Sequence, residues 1–540
     1  MLRAFLAGWR ARYLALALVL LITITFIRFH FYPPLQDLPG RPPVRHEPSD
    51  WWIEFFTRLR RTRVEAGRTV LKEKLGAENW KPNAETPRPD LPQLSDDDIA
   101  KYRESHAAFV EQLPEFASHL PYNAGTTGIV TTAGSPNFGQ VITLVLLTRQ
   151  AGSRLPIEIV LDSSSAWIDA LCDDLMPRYN ARCVYIQDMW ANLYPLAHRV
   201  ERFQWKFASI VASSFQNVLF LDADCFPVLN PDPIFANGAE PFSSTGFIVW
   251  PDFWRQSTSP KFYAIAGDLD VPPMASRPGS ESGVMVWDKA RHADTLLLAA
   301  YYNYNGPGHY YEMMTQRGPG EGDKETFFQA ALVLDGLRQK GVYYGPTDWM
   351  KPGVGLKKGY WEVKKQPSAH GRTANKGNWR GMFMQQMDPI HDYRVVMAAV
   401  EMARAKAEPS RSEDNTADKA DSHSRREETI NPQDYLTNST FLSYTNGLEL
   451  KHNDSRYMFF HHNGVKPDFT RILDKKSGMV AYGDKGELLR MWGDPDWIVD
   501  RTGKDLEKVL WEESIKIYCG VQVWERVCER MKWIFERVFA

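Results

Sequence analysis

Two aspartates, Asp222 and Asp224, stand one residue apart directly after an apolar run, Val218 to Leu221. Four apolar residues bounded by polar ones read as a buried strand. Open α/β sheets bind ligands just beyond the carboxyl ends of such strands. Paired carboxylates there could share a hard divalent cation: Mg2+ and Mn2+ take oxygen ligands, and Mg2+ is commonly held by one or two carboxylates plus substrate phosphates. That chemistry suits a nucleotide-sugar diphosphate. Spacing alone does not single the pair out, because Asp96-Asp97-Asp98, Asp268-Leu269-Asp270 and Asp494-Pro495-Asp496 share it. Only Asp222 and Asp224 directly follow a strand-like run, while the acids at 96 to 98 read as the cap of a helix starting near Ile99.

Three further segments place polar groups at turn-like positions. In Glu281-Ser-Gly-Val-Met-Val-Trp-Asp288, a polar turn leads into an apolar strand. Gly318-Pro-Gly-Glu-Gly-Asp323-Lys-Glu325-Thr-Phe is a glycine-rich loop running into a helix; acids there also simply favour a helix N-terminus. His461-His462-Asn-Gly-Val-Lys466 follows the apolar run Tyr457 to Phe460. A neutral imidazole is a good third ligand beside two aspartates, and Lys466 could neutralise a diphosphate leaving group. No Gly-x-Gly-x-x-Gly and no Walker-type loop occurs, so phosphate would be held through metal and side chains.

The elements that must position these groups follow from periodicity. From about Gly128 the chain alternates strand and helix: strands at Ile129–Thr132, 156–162, Cys183–Ile186 and Val218–Leu221, helices at Phe138–Arg149, Trp167–Leu175 and Glu201–Phe215. That order predicts an α/β fold with a parallel sheet built from βαβ units. The segment Leu506 to Phe539 reads as helix with a broad apolar stripe. Residues 404–431 are polar, charged and low in complexity, and read as a disordered insertion.

At 540 residues the chain can hold a substantial core. Lys plus Arg (64) nearly balances Asp plus Glu (66), which excludes the global basic field of a nucleic-acid binder. Tyr13 to Ile27 is apolar apart from two Thr and follows Arg3, Arg10 and Arg12. Fifteen residues cover only about 22 Å of a bilayer core of about 30 Å. Extending the span to Tyr32, with Arg28 snorkelling, gives about twenty residues and an uncleaved anchor over 13–32. The preceding arginines put residues 1–12 in the cytoplasm and the remainder in the lumen. The prolines after residue 33 predict a stem over 33–118, followed by a catalytic domain over 119–540. An oxidising lumen permits disulfides, with Cys172–Cys183 and Cys519–Cys528 as candidate pairs. The acceptors Asn438-Ser-Thr and Asn453-Asp-Ser fit that location.

Several long motifs in fixed order, from Trp205-Lys206-Phe through Asp222-Ala-Asp224, Glu281-Ser-Gly, Ala300-Tyr-Tyr-Asn-Tyr-Asn-Gly-Pro-Gly-His-Tyr-Tyr and Gly320-Glu-Gly-Asp-Lys-Glu-Thr-Phe, resemble the fungal mannan-branching α-1,2-mannosyltransferases. The resemblance covers roughly residues 120 to 480. The related α-1,3-mannosyltransferases share the Asp-x-Asp and Asp-Lys-Glu-Thr-Phe themes. The resemblance implies a GT-A fold with a Rossmann-like mixed sheet, a type II Golgi membrane protein, GDP-mannose as donor, Mn2+ as cofactor, retention at the anomeric carbon, and a mannose-containing glycan or glycoprotein as acceptor. A Golgi glycosyltransferase complex is a further implied setting that no heptad pattern demands. Asp222 and Asp224 match the metal and nucleotide motif. His461 is similar in position to a third metal ligand and Lys466 to a diphosphate-binding lysine, with His462 an alternative because the spacing departs by about one residue. Lys206 joins the donor-binding candidates. Asp323 and Glu325 match a loop near the reacting carbon, and Glu281 joins them as a catalytic candidate. The family usually carries Gln after Glu-Ser-Gly, where this chain has Val284. Asp323 or Glu281 could stabilise positive charge on the sugar or act as a nucleophile. A same-face route, in which the departing phosphate takes the acceptor proton, stands beside that. A related transferase with another sugar nucleotide, and a non-catalytic glycan-binding protein, are the alternative functions.

Overall fold

Seven strands form the central sheet of the computed structural model. The structure describes residues 48–81, 86–134, 137–162, 164–186, 200–344, 360–363, 383–407, 456–462, 466–483, 485–493 and 495–539. In chain order the strands of the two main sheets are β1 (Asn123–Ala133), β2 (Ile157–Leu161), β3 (Ala181–Tyr185), β4 (Phe215–Leu221), β5 (Cys225–Pro227), β6 (Phe247–Pro251), β7 (Ser280–Asp288), β8 (Trp361–Glu362), β9 (Phe383–Met387) and β10 (Tyr457–His462). The large sheet runs β8-β6-β7-β4-β1-β2-β3. β1, β2, β3 and β4 are mutually parallel, as expected from the alternation. The sheet is mixed, as the GT-A resemblance implies: the parallel run read from the alternation ends at β7, which runs antiparallel to both β4 and β6. That reversal carries Ser280 and Glu281, at the start of β7, to the end of β4 where Asp222 emerges. The Asp222 amide donates to Gly283 O at 2.8 Å across the join.

A second sheet of three antiparallel strands runs β9-β10-β5. Side chains alternate between the faces of a strand. One face of β10 therefore packs Phe460 and His462 with Phe226, Phe383 and Trp492, ring centroids 4.5–6.3 Å apart. The other face carries His461 directly opposite Cys225 on β5 and Met384 on β9.

Helices cover both faces of the large sheet, and the core divides accordingly. Ile129, Leu219, Leu221 and Val286 face one apolar cluster; Val130, Val218, Phe220 and Trp287 face the other. On the second side lie α1 (Pro48–Arg61) and α2 (Asp96–Ala117). α2 begins in a reciprocal cap between Ser95 and Asp98, as the acidic run predicts. The sequence-based stem boundary near residue 118 does not mark the start of packing, because Trp51–Ala540 is one compact unit. Trp52, Phe55, Phe56 and Leu59 of α1 are fully buried, and Ser105 and His106 of α2 hydrogen-bond to Tyr301 and Tyr302. The prolines between the helices predict an extended spacer, whereas the apolar faces of those helices drive them onto the body.

The C-terminal stretch is two helices, α3 (Leu506–Tyr518) and α4 (Glu525–Val538), broken at Gly520 and tied by Cys519–Cys528. Cys172–Cys183 joins the segment before β3 to β3 itself, so both candidate pairs form. Cys225 is the free cysteine. Among the described residues no helix is long and apolar enough to cross a membrane. The anchor expected over 13–32, the acceptors Asn438 and Asn453, and most of the insertion expected at 404–431 lie outside the described residues.

Candidate active site

The end of β4, the start of β7, the loop before the helix Thr326–Gln339 and the tip of β10 surround a cleft of about 230 Å3. Its walls include Phe203, Lys206, Asp222, Glu281, Asp323 and His461. Each side chain arrives for a local reason. Asp222 is the first residue past a fully buried strand end. Lys206 comes from the helix Gln204–Ala212, which packs against β1. Asp323 comes from the glycine-rich loop, where Gly320 and Gly322 adopt φ of +74° and +111°, a backbone that side chains resist.

Two polar clusters share the cleft. In the first, the Lys206 ammonium donates to Asp222 Oδ2 at 3.0 Å, Ser282 O at 3.0 Å and Ser282 Oγ at 2.9 Å. It also lies 3.4 Å from Asp323 Oδ2. That oxygen is buried without a hydrogen bond, so the Lys206 contact is an ion pair. Burial raises Asp323 to about 6 against the pull of Lys206, and raises Asp222 in the same way. Three carboxylates, Asp222, Asp323 and Glu281, together keep Lys206 charged despite burial.

In the second cluster, His461 Nε2 lies 3.6 Å from Asp224 Oδ1, and His461 Nδ1 lies 3.5 Å from Glu281 Oε1. Lys466 donates to the other Asp224 oxygen and to His462 O. Burial opposes charge on Asp224, but His461 and Lys466 hold its carboxyl well below the usual range. His461 is raised against burial by Cys225, Asp224 and Glu281. Glu281 Oε1 accepts from the amides of Ser282 and Gly283 at 2.9 and 2.6 Å. Those bonds fix the carboxylate, and with His461 and Lys206 they hold it at about 2 despite burial.

The expected residues thus divide. Asp224, His461, Glu281 and Lys466 come together; Asp222, Lys206 and Asp323 form the neighbouring group. His461, not His462, faces the cleft: the His462 ring is fully buried against Phe383, and burial lowers it to about 3. Glu325 does not line the cleft. Its Oε1 accepts from the Ser280 amide at 2.9 Å, tying the loop to the start of β7. The buried ion pair Lys324–Asp252, at 2.8 Å in the cleft wall, was not anticipated. Its signal was available, since Asp252 directly follows the apolar run ending at Pro251.

A divalent ion fits the Asp224–His461 pair. Two ligands about 2.1 Å from one ion stand about 3 Å apart at right angles and about 4.2 Å apart when opposed. The observed 3.6 Å falls between, and His461 Nδ1 makes no hydrogen bond.

Comparison with known proteins agrees with the motifs. The Mannosyl_trans3 family model, described as "Mannosyltransferase putative", matches residues 126–278 and 270–344. Alpha-1,2-mannosyltransferase MNN2 of Saccharomyces cerevisiae is 31% identical over 57% of this chain and 53% of its own length. Alpha-1,2-mannosyltransferase MNN21 of Candida albicans is 29% identical over 79% of this chain and 62% of its own. Among solved structures, mouse xyloside xylosyltransferase 1 overlaps 41% of this chain and 84% of its own at 13% identity, with a TM-score of 0.25, too loose to bear on the site. The matches place the chain among glycosyltransferase families. Within them the chain is similar to the fungal α-1,2-mannosyltransferases. The chain spans between half and two-thirds of the length of these first relatives.

Proposed function

We propose that this chain is a metal-dependent, retaining α-1,2-mannosyltransferase of GT-A architecture, moving mannose from GDP-mannose to mannan or glycoprotein mannose chains in the Golgi lumen. The convergence of His461, Glu281 and Asp323 on one cleft, with Asp224 and Lys466 beside His461, carries the reading. The relatives, alpha-1,2-mannosyltransferases by name, support mannose and the α-1,2 linkage. The two disulfides suit an oxidising lumen, and the apolar segment 13–32 suits a membrane anchor.

Asp224 and His461 would hold the divalent cation, which when bound supplies charge stabilisation to the diphosphate. Lys466, beside Asp224, adds a second positive charge where the leaving group gains negative charge. Asp323 and Glu281 present carboxylates towards the cleft, where the sugar gains positive charge. Glu281 is fixed by two amides, while Asp323 is held only by the longer ion pair to Lys206 at 3.4 Å. Asp323 is therefore the better placed of the two to respond to the sugar. Lys206 positions Asp222 and Asp323 through one ammonium.

The test is transfer by the full-length protein in detergent, given GDP-mannose, an α-1,6-mannooligosaccharide, and Mn2+ or EDTA, with product linkage read by NMR. An α-1,2-linked product that requires the ion, and is lost in Asp224→Ala, is expected. An α-1,3 product would move the acceptor assignment to the sister family. Turnover of UDP-sugars in preference to GDP-mannose would overturn the donor.

A further inference from the structure

We propose that Cys225 is the third protein ligand of the cation site, in an Asp224–Cys225–His461 donor set that excludes Asp222 and favours zinc or cobalt over manganese. The inference relies on the metal-dependent reading only for what the ion does.

Strand register brings the sulfur into place. Cys225 on β5 pairs directly with His461 on β10, and directly opposed residues in an antiparallel pair share a face with Cβ atoms about 5 Å apart. Asp224 precedes Cys225 at the turn. One ligand atom from each of the three lies within 4.8 Å of the others. Zinc binds sulfur at about 2.3 Å and nitrogen or oxygen at about 2.0–2.2 Å, which sets tetrahedral donors about 3.5 Å apart, so one ion gathers the three with side-chain shifts of up to about an ångström.

The opposite wall leaves room for it. A Cβ on Gly283 would stand 2.9 Å from Cys225 Sγ, 2.9 Å from Glu281 Oε1 and 3.1 Å from His461 Cε1. These groups converge on a gap that only glycine keeps open. Asp222 lies outside this group of three, and its Oδ2 accepts from Lys206 at 3.0 Å. It is therefore available to hold the lysine rather than the ion.

The choice of ion follows from the donors. Thiolate is a soft ligand that selects zinc and related ions, whereas manganese suits carboxylates and water. Three protein ligands with a further position open is the arrangement of catalytic zinc sites. On binding, the Cys225 S–H bond breaks, the sulfur electron pair goes to the ion, and the proton leaves to solvent. No oxidant or reductant is involved.

Cobalt spectroscopy on the full-length, metal-stripped protein tests the proposal without measuring transfer. The other four cysteines are in disulfides, so a thiolate-to-cobalt charge-transfer band can come only from Cys225. The expected result is that band, saturating at one equivalent and bleached by zinc. Zinc affinity should also fall about tenfold or more in Cys225→Ser with manganese affinity little changed. Cobalt bound without the band, or no cobalt bound, would overturn the proposal; the wild-type spectrum decides this even if the variant does not fold. Manganese-dependent transfer without the band would leave the transferase reading standing and remove Cys225. The band together with transfer unaffected by EDTA would keep the donor set and remove the ion from the reaction.

Discussion

Replacing Lys206 by Met keeps the aliphatic stem and removes one buried charge that two carboxylates share. Lys206 and Asp323 have side chains 11% and 5% exposed, and Asp222 is 28% exposed. Removing one partner of a buried pair costs about 3–5 kcal/mol. Partial exposure of Asp222 argues for the lower part of that range, about 3–4 kcal/mol at pH 8. The cost depends on pH. Burial already raises Asp323 to about 6, so at pH 5 it largely holds its own proton and loses little when Lys206 goes. At pH 8 Asp323 and Glu281 carry the charge that the missing ammonium leaves unbalanced. The expected destabilisation is therefore clearly larger at pH 8 than at pH 5. An unfolding entropy of about 2.1 cal/mol/K per residue over roughly 490 residues makes the pH 8 loss a Tm drop of only about 3–4 °C. Denaturant titration at both pH values is the assay of choice. A cost below about 1 kcal/mol, or one equal at pH 5 and pH 8, would refute the shared ion pair.

Other substitutions separate structural from functional roles. His462→Phe should fold at least as well as the wild type, gaining up to about 1 kcal/mol, because both ring nitrogens are buried without a hydrogen bond; His461→Ala should instead abolish transfer. Denaturant melts and transfer assays on the two variants check this, and loss of transfer only in His462→Phe would reverse the assignment. Burial raises Glu507 from 4.5 to about 7. The folded chain therefore keeps a proton that the unfolded chain has released, and stability falls as pH rises across that window. The stability of Glu507→Gln relative to wild type should improve by up to about 3 kcal/mol from pH 4.5 to pH 8; a gap that does not change with pH would refute it. Cys519→Ser opens a loop with a sequence separation of 9 and should cost about 2–3 kcal/mol, read as a lower denaturant midpoint with an unchanged slope.

The sequence by itself determined the local elements and the identity of the reactive groups. The apolar run before Asp222, the capping box at Ser95 and the alternation of strand and helix are short-range patterns, and each formed within a few residues of its expected place. Motif order marked Asp224, Lys206, Glu281, Asp323, His461 and Lys466, all of which reach one region. Tertiary structure decided their partners, because partnership depends on strand register and direction, which the linear pattern does not encode. An antiparallel β7 brought Glu281 to Asp222. The register between β10 and β5 turned His461 towards the cleft, set Cys225 beside it, and sent His462 into an aromatic core. Packing of α1 and α2 made a body wall from a segment whose prolines read as a stem. Glu325, two residues after Asp323, became an anchor for Ser280 because its side chain faces the protein rather than the cleft.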